Sequence, residues 1–424
     1  MSERKGPATY APTMATCGRV GFFVYLPRLT IEKLTMESTR HETVCGIALN
    51  AIFGYHPAAA RAAVAHFGSP AAVFSQSPGT LDSFFGPYNK HRHLICASSL
   101  DAAAEELERI TRMGCRFIPM GSPGYPPLLY DCPDAPAGLY MLGGGEELFA
   151  GREAVSVIGT RDMSPYGREW TERIVYALSH AETKPMIVSG FAIGVDITAH
   201  LAALSCGLPT VAVLPVGIDD VYPRRHRSIA ARMLEAGNCA LITDFPPGTA
   251  PVPFNFLRRN RIIAGMSRAT VLTESRLRGG GTMTARLAAG YGREVFCLPG
   301  RIDDARSAGC LRLLREKLAE PVTDTAELCA QMGFAGTAAA RHSGLEESVR
   351  QCYSGSSERM MLCLVGSALY VEGHCGATHE ETAAALGLPP GEVSAALCML
   401  EGDGFISTDV FGRCSMGRRG IRGF

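Results

Sequence analysis

The sequence lacks several features that point directly to a function. None of its 15 cysteines forms a C-x-x-C pair, so the spacing typical of zinc ribbons and of thioredoxin-type redox sites is absent. No apolar run approaches the roughly 18 residues of a membrane span. The longest early run, residues 20–26, stops at Pro27 and is too short for a signal-peptide core. These absences favour a cytoplasmic protein with idle thiols, no bound metal and no membrane contact.

The chain also has no excess of charge of either sign, with 41 basic and 41 acidic residues. The two signs are not evenly distributed, because residues 151–320 hold 22 basic and 16 acidic residues, a net charge of +6. Nearly all of these basic residues are arginine, whose guanidinium group makes bidentate phosphate contacts and stacks on bases. An excess of six is modest, so charge alone does not identify a nucleic-acid-binding protein.

The middle of the chain alternates short apolar runs with helical segments, which predicts a parallel sheet covered by helices. The predicted strands lie near 154–159, 185–189, 210–215, 239–243, 269–274 and 294–298. The predicted helices between them include 165–179, 195–205, 226–236, 256–267 and 282–289. Several strands end in a glycine-containing turn that opens a helix, an arrangement that binds phosphate groups. We therefore predict an α/β fold with an extended Rossmann-like, doubly wound parallel sheet.

Composition predicts several segments around this sheet. In order they are an irregular N-terminal extension (1–38), a small helical domain (39–115), the Rossmann-like domain (116–325), a linker rich in glycine, alanine and serine (326–356), a winged helix (357–416) and a basic tail (417–424). The winged helix is predicted from three helical segments and a terminal hairpin. For the first helical domain, a SAM-like or helix-hairpin-helix module and a helical dimer or scaffold module are equally open.

The first loop with predicted chemistry is GTRDMSPYG, residues 159–167. Ser164 is a natural N-cap and Pro165 a natural first helical residue, so the helix begins directly after a strand and presents N–H groups to an anion. Arg161 lies in the turn, within reach of the same anion. A capped helix with a solvated arginine is the alternative interpretation. The candidate binding residues here are Gly159, Arg161, Ser164, Tyr166 and Gly167.

The second loop is SGFAIGVD, residues 189–196, and it is followed by His200. Its candidate binding residues are Ser189, Gly190 and Gly194, since glycine lets a backbone approach closely. We expect Asp196 to cap the helix or to orient an arginine. We expect His200 to be a packed, hydrogen-bonded residue, not a catalytic base.

Three further loops supply basic and glycine-rich segments. GIDDVYPRRHR (217–227) contributes Arg224, although a solvated helix face is the alternative, because cations oppose the dipole at a helix N-terminus. FLRRNRIIAG (256–265) and ESRLRGGGTMTA (274–285) follow, and the second forms a phosphate cradle by geometry. We expect one of the arginines to brace the loops by pairing with Asp196 or Glu274. Their candidate binding residues are Arg259, Arg261, Gly280, Gly281 and Thr282, and their candidate supporting residues are Asn260 and Glu274.

Taken in order, these motifs resemble the DNA-processing protein A family (DprA, also called Smf) over roughly residues 41–416. The sequence departs from the family's pattern at Gly280, at Thr243-Asp244 and at Cys310. The resemblance implies a homodimer that binds single-stranded DNA and contacts RecA. It implies that this homodimer protects incoming DNA and loads the RecA recombinase during natural transformation. It also implies a binding protein with no catalytic residue and no cofactor.

Two rival functions remain open at this point. Related Rossmann-like phosphoribohydrolases, which cleave nucleoside monophosphates, carry P-G-G-x-G-T-x-x-E with a catalytic glutamate. Here Ala285 stands at the glutamate position, and no Cys/His, Ser/His or metal-binding constellation replaces it. No G-x-x-x-x-G-K-[ST] phosphate loop is present either. A nucleotide-binding sensor of the same fold is the second rival.

Overall fold

A computed structural model of the protein describes residues 28–145, 148–334, 349–368, 377–409 and 412–416. Its strands are β1 (Arg116–Pro119), β2 (Gly138–Gly143), β3 (Ala154–Ile158), β4 (Met186–Ser189), β5 (Thr210–Val213), β6 (Ala240–Thr243), β7 (Ala269–Leu272), β8 (Glu294–Cys297), β9 (Glu320–Pro321), β10 (Ile406–Thr408) and β11 (Cys414–Met416). The first nine strands form one sheet, in which β3 lies near the middle. The last two form a separate antiparallel hairpin.

The helices cover the sheet and also form the units that precede and follow it in the chain. They are α1 (Arg28–Phe53), α2 (Pro57–Phe67), α3 (Pro70–Phe74), α4 (Pro78–Phe85), α5 (Ala97–Arg112), α6 (Pro127–Tyr130), α7 (Pro165–Ser179), α8 (Val195–Ser205), α9 (Arg227–Glu235), α10 (Pro253–Met266), α11 (Gly280–Gly290), α12 (Ala308–Arg315), α13 (Thr325–Gln331), α14 (Ser357–Ala368), α15 (His379–Leu386) and α16 (Pro390–Gly402). Within the described residues, no helix is both long and apolar enough to cross a membrane.

The sheet has the order β1-β2-β6-β5-β4-β3-β7-β8-β9. The strands from β3 to β9 are parallel, whereas β2 runs antiparallel to β6 and β1 antiparallel to β2. The predicted parallel sheet is therefore confirmed for the seven strands β3 to β9, whereas β1 and β2 are joined to it by antiparallel pairing. The chain builds outward from β3 to β6 and then returns to the other side of β3 as β7. The carboxyl ends of β3 and β7 consequently flank the topological switch point, where open α/β sheets bind ligands.

Side chains on the two faces of the sheet pack into different parts of the core. Val155 and Val157 of β3 pack with residues of α7, α8 and α13. Ile158, at the end of the same strand, packs on the opposite side with residues of α10 and α11. This alternation places helices on both faces, as expected for a doubly wound sheet. The first helix is tied to the sheet as well, since Asn50 Nδ2 donates to the Asp244 carbonyl oxygen at 2.8 Å.

The predicted irregular extension was wrong over residues 28–38, because α1 already begins at Arg28. Thr30, Thr35 and Ser38 weaken the helical pattern, but a helix that is nucleated downstream extends at little further cost. That downstream half is buried at Ile47 and Leu49. Residues 1–27 of the predicted extension lie outside the described residues.

The predicted start of the linker was also wrong, because α13 occupies its first residues. Asp324 caps this helix through the N–H groups of Ala326 and Glu327. Leu328 and Met332 are buried against the core beside α7, in spite of the low-complexity composition that suggested a tether. A seven-residue helix spans only about two turns, too few for a clear periodic signal. Of the remaining predicted linker residues, 335–348 lie outside the described residues. The predicted end of the linker was wrong as well, because Val349 and Tyr353 are buried in the C-terminal core.

The C-terminal unit has an apolar core of its own. Leu364, Leu397 and Phe405 are fully buried in a cluster formed by α14, α15, α16 and the β10–β11 hairpin. A capping box between Thr378 and Glu381 fixes the start of α15. The helices and the hairpin lie where the sequence predicted them.

Candidate functional site

A cleft with a volume of about 620 Å³ opens at the carboxyl ends of β3 and β7. Its walls come from residues 158–162, from positions within 251–263 and 275–284, and from Ala192, Asp196 and Tyr222. The cleft therefore lies at the switch point of the sheet. Five of the predicted binding residues and two of the supporting ones line it, namely Gly159, Arg161, Arg259, Gly280, Gly281, Asp196 and Asn260.

Arg161 stands at the exposed edge of this cleft. Its guanidinium carbon lies 5.1 Å from the centre of the Phe256 ring. Phe256 in turn packs edge-to-face on Tyr222, with ring centroids 5.2 Å apart and an interplanar angle of 78°. The arginine is therefore held on an aromatic wall by a cation–π contact, and its N–H groups remain accessible to a ligand.

Arg259 lies beneath the cleft and is only 3% exposed. Burial lowers the pKa of its guanidinium group to about 10; the negative charge of Asp196 opposes this shift and the nearby Arg161 adds to it. Asp196 is itself so buried that its pKa is raised, although Arg259 acts in the opposite direction. Arg259 Nε and Nη1 have no hydrogen-bond partner among the described residues. Arg259 therefore adds a positive charge at the wall of the cleft, while these two donor atoms are buried and Nη1 lies against Gly190.

Gly190 makes room for this arrangement. A Cβ atom at this position would lie 1.7 Å from Arg259 Nη1 and 2.7 Å from Asp196 Oδ2. Gly194 serves a different purpose, because its φ of +88° and its proximity to the Thr160 carbonyl oxygen exclude a side chain. Neither glycine lines the cleft, so both act by positioning the residues that do.

The N-terminus of α7 does not face the cleft as predicted, because Glu274 already occupies it. The Ser164 N–H donates to Glu274 Oε2 at 2.9 Å, and the Ser164 hydroxyl group donates to Oε1 at 2.5 Å. Ser164 Oγ also accepts from the Gly167 N–H at 3.0 Å. Tyr166 points elsewhere, donating its hydroxyl hydrogen to the Pro299 carbonyl oxygen at 3.0 Å. The anion at this helix end is the protein's own carboxylate, a contact that the sequence spacing could not reveal.

The N-terminus of α11 does face the cleft, as predicted. The Thr282 and Met283 N–H groups donate to Ser275 Oγ and to the Gly279 carbonyl oxygen. No acceptor among the described residues engages the N–H groups of Gly280 and Gly281, two glycines that line the cleft. These amides are therefore available to an anion at the positive end of the helix.

The side chain of Thr282 lies beside this helix end but points away from the cleft. Its hydroxyl group donates inward, where Ser275 Oγ lies at 2.9 Å and the Arg276 carbonyl oxygen at 3.2 Å. The hydroxyl group therefore supports the loop without facing the cleft.

Three other predicted residues lie away from the cleft. The Ser189 hydroxyl group is fully buried and donates to the Val157 carbonyl oxygen at 2.6 Å. Arg224 is exposed but is not part of the cleft wall. Arg261 forms a buried ion pair with Asp244 and also donates to a backbone carbonyl group. Ser189 and Arg261 therefore support the fold, and Arg261 pairs with Asp244, a partner that the sequence did not suggest. Arg259 lies beside Asp196, one of the two expected partners.

His200 is a packed residue, as expected from the sequence. Its imidazole is fully buried, with Nδ1 2.7 Å from Thr210 Oγ1. Burial, together with the positive charges of Arg259 and His226, lowers its pKa to about 3. Because the ring does not reach the cleft, it is not placed to act as a base there.

Sequence reasoning missed at least three residues of the site, namely Phe256, Tyr222 and Arg276. Phe256 is the first residue of the FLRRNRIIAG segment. An aromatic residue beside a run of arginines is the signal that could have identified it. Arg276 lies at the rim and donates to Asp162 Oδ2 at 2.9 Å, joining two loops that are far apart in the sequence. Among the described residues, no group of three His, Cys, Asp or Glu side chains could hold a metal ion.

Comparison with known proteins places the cleft within a segment that matches a protein family. The profile of the family described as DNA recombination-mediator protein A matches residues 116–333. A Mycobacterium tuberculosis protein bearing the DprA name is 33% identical over 328 residues, which cover 73% of this chain and 79% of that protein. Protein Smf of Escherichia coli K12 is 39% identical over 218 residues, covering 51% of this chain and 57% of that protein.

A solved structure has a similar fold. The X-ray structure of DNA processing protein A from Streptococcus pneumoniae matches with a TM-score of 0.54 and 26% sequence identity. The match covers 72% of this chain and 98% of that chain. The similarity therefore extends beyond the strands that carry the cleft.

Proposed function

The chain belongs to the DNA recombination-mediator protein A family, which includes the DprA and Smf proteins, and we propose that it binds single-stranded DNA in the cleft at the switch point. One observation carries the proposal above all others. The exposed Arg161 lies on the Phe256 ring at the edge of the cleft, while the buried Arg259 adds a positive charge at its wall. Positive charge and an aromatic surface side by side are what a single strand requires.

The cleft offers separate partners for the two parts of a nucleotide. Arg161, Arg259 and the amides of Gly280 and Gly281 would bind phosphate oxygens. The rings of Phe256 and Tyr222 supply a surface on which a base can pack. Stacking accepts any base, since every base has a π-face, so binding would be largely independent of sequence.

Binding, and not catalysis, is the activity that this chemistry supports. Asp196 is the carboxylate nearest the buried arginine, but its burial and raised pKa suit a positioning role beside Arg259. His200 is remote from the cleft surface and bonded to Thr210. Ala285 is buried where a phosphoribohydrolase would carry its glutamate. For these reasons a phosphoribohydrolase is not proposed.

The wider role proposed for the protein rests on its family. It acts in the cytoplasm as a homodimer that protects incoming single-stranded DNA and loads RecA recombinase onto it during natural transformation. The names of the family and of the Mycobacterium tuberculosis relative, which refer to recombination mediation and to DNA processing, support this role. The unit at 357–416 is proposed to be a winged helix, and the helices of 39–115 a SAM-like domain. Residues 417–424 would be a basic tail.

Fluorescence anisotropy tests the binding proposal. A labelled single strand should bind, and the matched duplex should bind much more weakly. The logarithm of the affinity should fall with the logarithm of the salt concentration, with a slope of about −0.7 per phosphate contacted. Equal affinity for both forms, or no dependence on salt, would contradict the proposal.

A second assay separates the RecA role from DNA binding. RecA filament assembly is followed on single strands already coated with single-strand-binding protein, with and without this chain. Faster assembly in its presence is the expected result. If filament assembly is no faster although the chain binds DNA tightly, the RecA-loading proposal is contradicted and the DNA-binding proposal is not affected.

A further inference from the structure

Two exposed aromatic rings lie together outside the cleft. Tyr55, just after α1, is 62% exposed, and Phe254, in the first turn of α10, is 60% exposed. Their rings are nearly parallel, with an interplanar angle of 23° and centroids 6.4 Å apart. Val252 and Leu257 beside Phe254 are also exposed. We call the Tyr55 and Phe254 rings the aromatic platform.

A buried arginine fixes the platform in place. The Arg258 guanidinium carbon lies 4.5 Å from the centre of the Tyr55 ring and 4.7 Å from that of the Phe245 ring. Its Nη2 atom donates to Asp244 Oδ2 at 2.8 Å. The Arg258–Asp244 ion pair therefore supports the Tyr55 ring from the protein interior and holds it in its exposed position. A ring held rigidly in an exposed position is preorganised for a flat partner.

The platform is continuous with the cleft. Pro253 and Leu257 line the cleft, and Phe254 lies between them in the same helical turn. Phe256, two residues further along, carries the contact with Arg161. A strand that leaves the cleft over the N-terminus of α10 would meet the platform next.

We propose that the aromatic platform is a second contact for single-stranded DNA, on which bases outside the cleft stack. The inference rests on the proposed function, because it extends the same strand from the cleft towards the N-terminal helices. It assigns a DNA-binding role to Tyr55, a residue outside the sheet domain. Nucleobases are the committed occupant, and a protein surface is an outcome that the test can reveal.

The charges near the platform favour a nucleic acid over an apolar protein surface. His56, which follows Tyr55, packs on His91 with ring centroids 4.9 Å apart. This contact links His56 to the segment that carries the exposed Lys90 and His93, whereas Arg92 of the same segment pairs with Asp82. Basic side chains beside exposed rings would meet phosphates while the rings meet bases.

The test uses full-length chains and oligothymidines of increasing length. The variants are Tyr55→Ala, Phe254→Ala and the double variant, with Tyr55→Phe as the conservative change. A strand long enough to reach the platform should bind each alanine variant roughly tenfold more weakly, a loss typical of one stacked base. A strand that fills only the cleft should bind all variants like the wild type. Tyr55→Phe should retain the affinity for the long strand.

A matched control and a spectroscopic signal complete the design. Tyr88 is 97% exposed on the same helical unit, and Tyr88→Ala should leave the affinity for the long strand unchanged. A 2-aminopurine placed at the platform position should lose fluorescence on binding to the wild type, and should keep it with the double variant.

The outcomes distinguish the two proposals. If the wild type does not bind single strands at all, the proposed function fails. If the wild type binds, and Arg161→Glu abolishes binding while the platform variants bind long strands normally, only the platform inference fails. Equal losses from Tyr88→Ala would also overturn it, as would platform variants that change self-association instead of DNA affinity.

Discussion

Glu274 accepts two hydrogen bonds from Ser164, one from its N–H at 2.9 Å and one from its hydroxyl group at 2.5 Å. Glu274 follows β7 and Ser164 caps α7, so the pair joins the two loops that flank the switch point. The backbone adds a third link, because the Thr160 N–H donates to the Glu274 carbonyl oxygen at 2.7 Å. Arg161 lies between these attachments, and its position over the cleft depends on them.

Glu274→Ala should therefore weaken both folding and DNA binding. It leaves the Ser164 N–H and hydroxyl groups without their acceptor in a buried site, which costs about 1–3 kcal/mol of unfolding free energy. The released loop should also lower the affinity for single strands. Urea unfolding and anisotropy measure the two effects. Glu294→Ala, at an exposed position at the start of β8, is the matched control and should change neither.

Arg161→Glu should abolish single-strand binding and leave the fold intact. The substitution reverses the charge at the edge of the cleft but removes no buried side chain. Circular dichroism and thermal unfolding should match the wild type, while anisotropy should show no saturable binding. Arg112→Glu, also exposed, on α5, should bind DNA normally. A folded Arg161→Glu chain that binds oligonucleotides like the wild type would falsify the proposed site.

Gly190→Ala should disrupt the buried arginine beneath the cleft. Its Cβ atom would lie 1.7 Å from Arg259 Nη1, so the guanidinium group has to move. We expect lower stability and weaker DNA binding together. Gly290→Ala is the control, because nothing lies within 4 Å of its added methyl group and alanine favours a helix over glycine. Normal DNA affinity in Gly190→Ala would show that the position of Arg259 is unimportant for binding.

The parallel sheet could be predicted from the sequence because each strand and helix carries a strong local signal. Ser164 and Pro165, for example, mark the start of α7 at the residue where the structure has it. The two-residue β9 strand gave no such signal, since a period of two cannot be seen in two residues. Short elements depend on their neighbours, and these are not visible in a local pattern.

The site was predictable in its location but not in its side-chain partners. Glycine-rich loops after β3 and β7 pointed to the correct edge of the sheet. They did not show that Glu274 fills the N-terminus of α7, or that Arg261 pairs with Asp244. Both contacts join residues far apart in the chain or on different elements, with no spacing to reveal them. Arg259 and Arg261 of α10 look alike in the sequence. Only the packing shows that Arg259 lines the cleft and that Arg261 pairs with Asp244.

His200 should make the protein less stable as the pH falls. Its pKa is lowered to about 3 in the folded chain, against 6.5 for the ordinary group. The unfolded chain therefore binds a proton that the folded chain does not, and stability is lost progressively as the pH falls from about 6.5 towards 3. The slope due to this residue is about 1.4 kcal/mol per pH unit.

Urea unfolding at several pH values between 4.5 and 7 measures the slope. His200→Gln should lower the stability at pH 7, because it disturbs a packed site, but should reduce the slope by nearly one proton. Identical slopes for the wild type and the variant would show that His200 is protonated in the folded chain.

Ending the chain after Ala340 should leave a folded protein that binds single-stranded DNA with unchanged affinity. Phe334 is the last buried side chain of the sheet unit among the described residues, and the truncated chain keeps it. The C-terminal helices form their own cluster around Leu397 and Phe405. All residues that line the cleft lie between positions 158 and 284. Anisotropy with a labelled single strand compares the truncated and full-length chains, and thermal unfolding confirms that the sheet unit is intact.

The same pair of chains tests the DNA affinity of the C-terminal unit. Its helix α16 carries no lysine or arginine, and Glu380 and Glu381 open the helix before it. A helix that reads the major groove normally brings several cations to the backbone. We therefore expect both chains to bind duplex DNA equally weakly at moderate salt, which would leave a protein surface as the partner of this unit. Tight duplex binding by the full-length chain, lost on truncation, would make it a DNA-binding module instead.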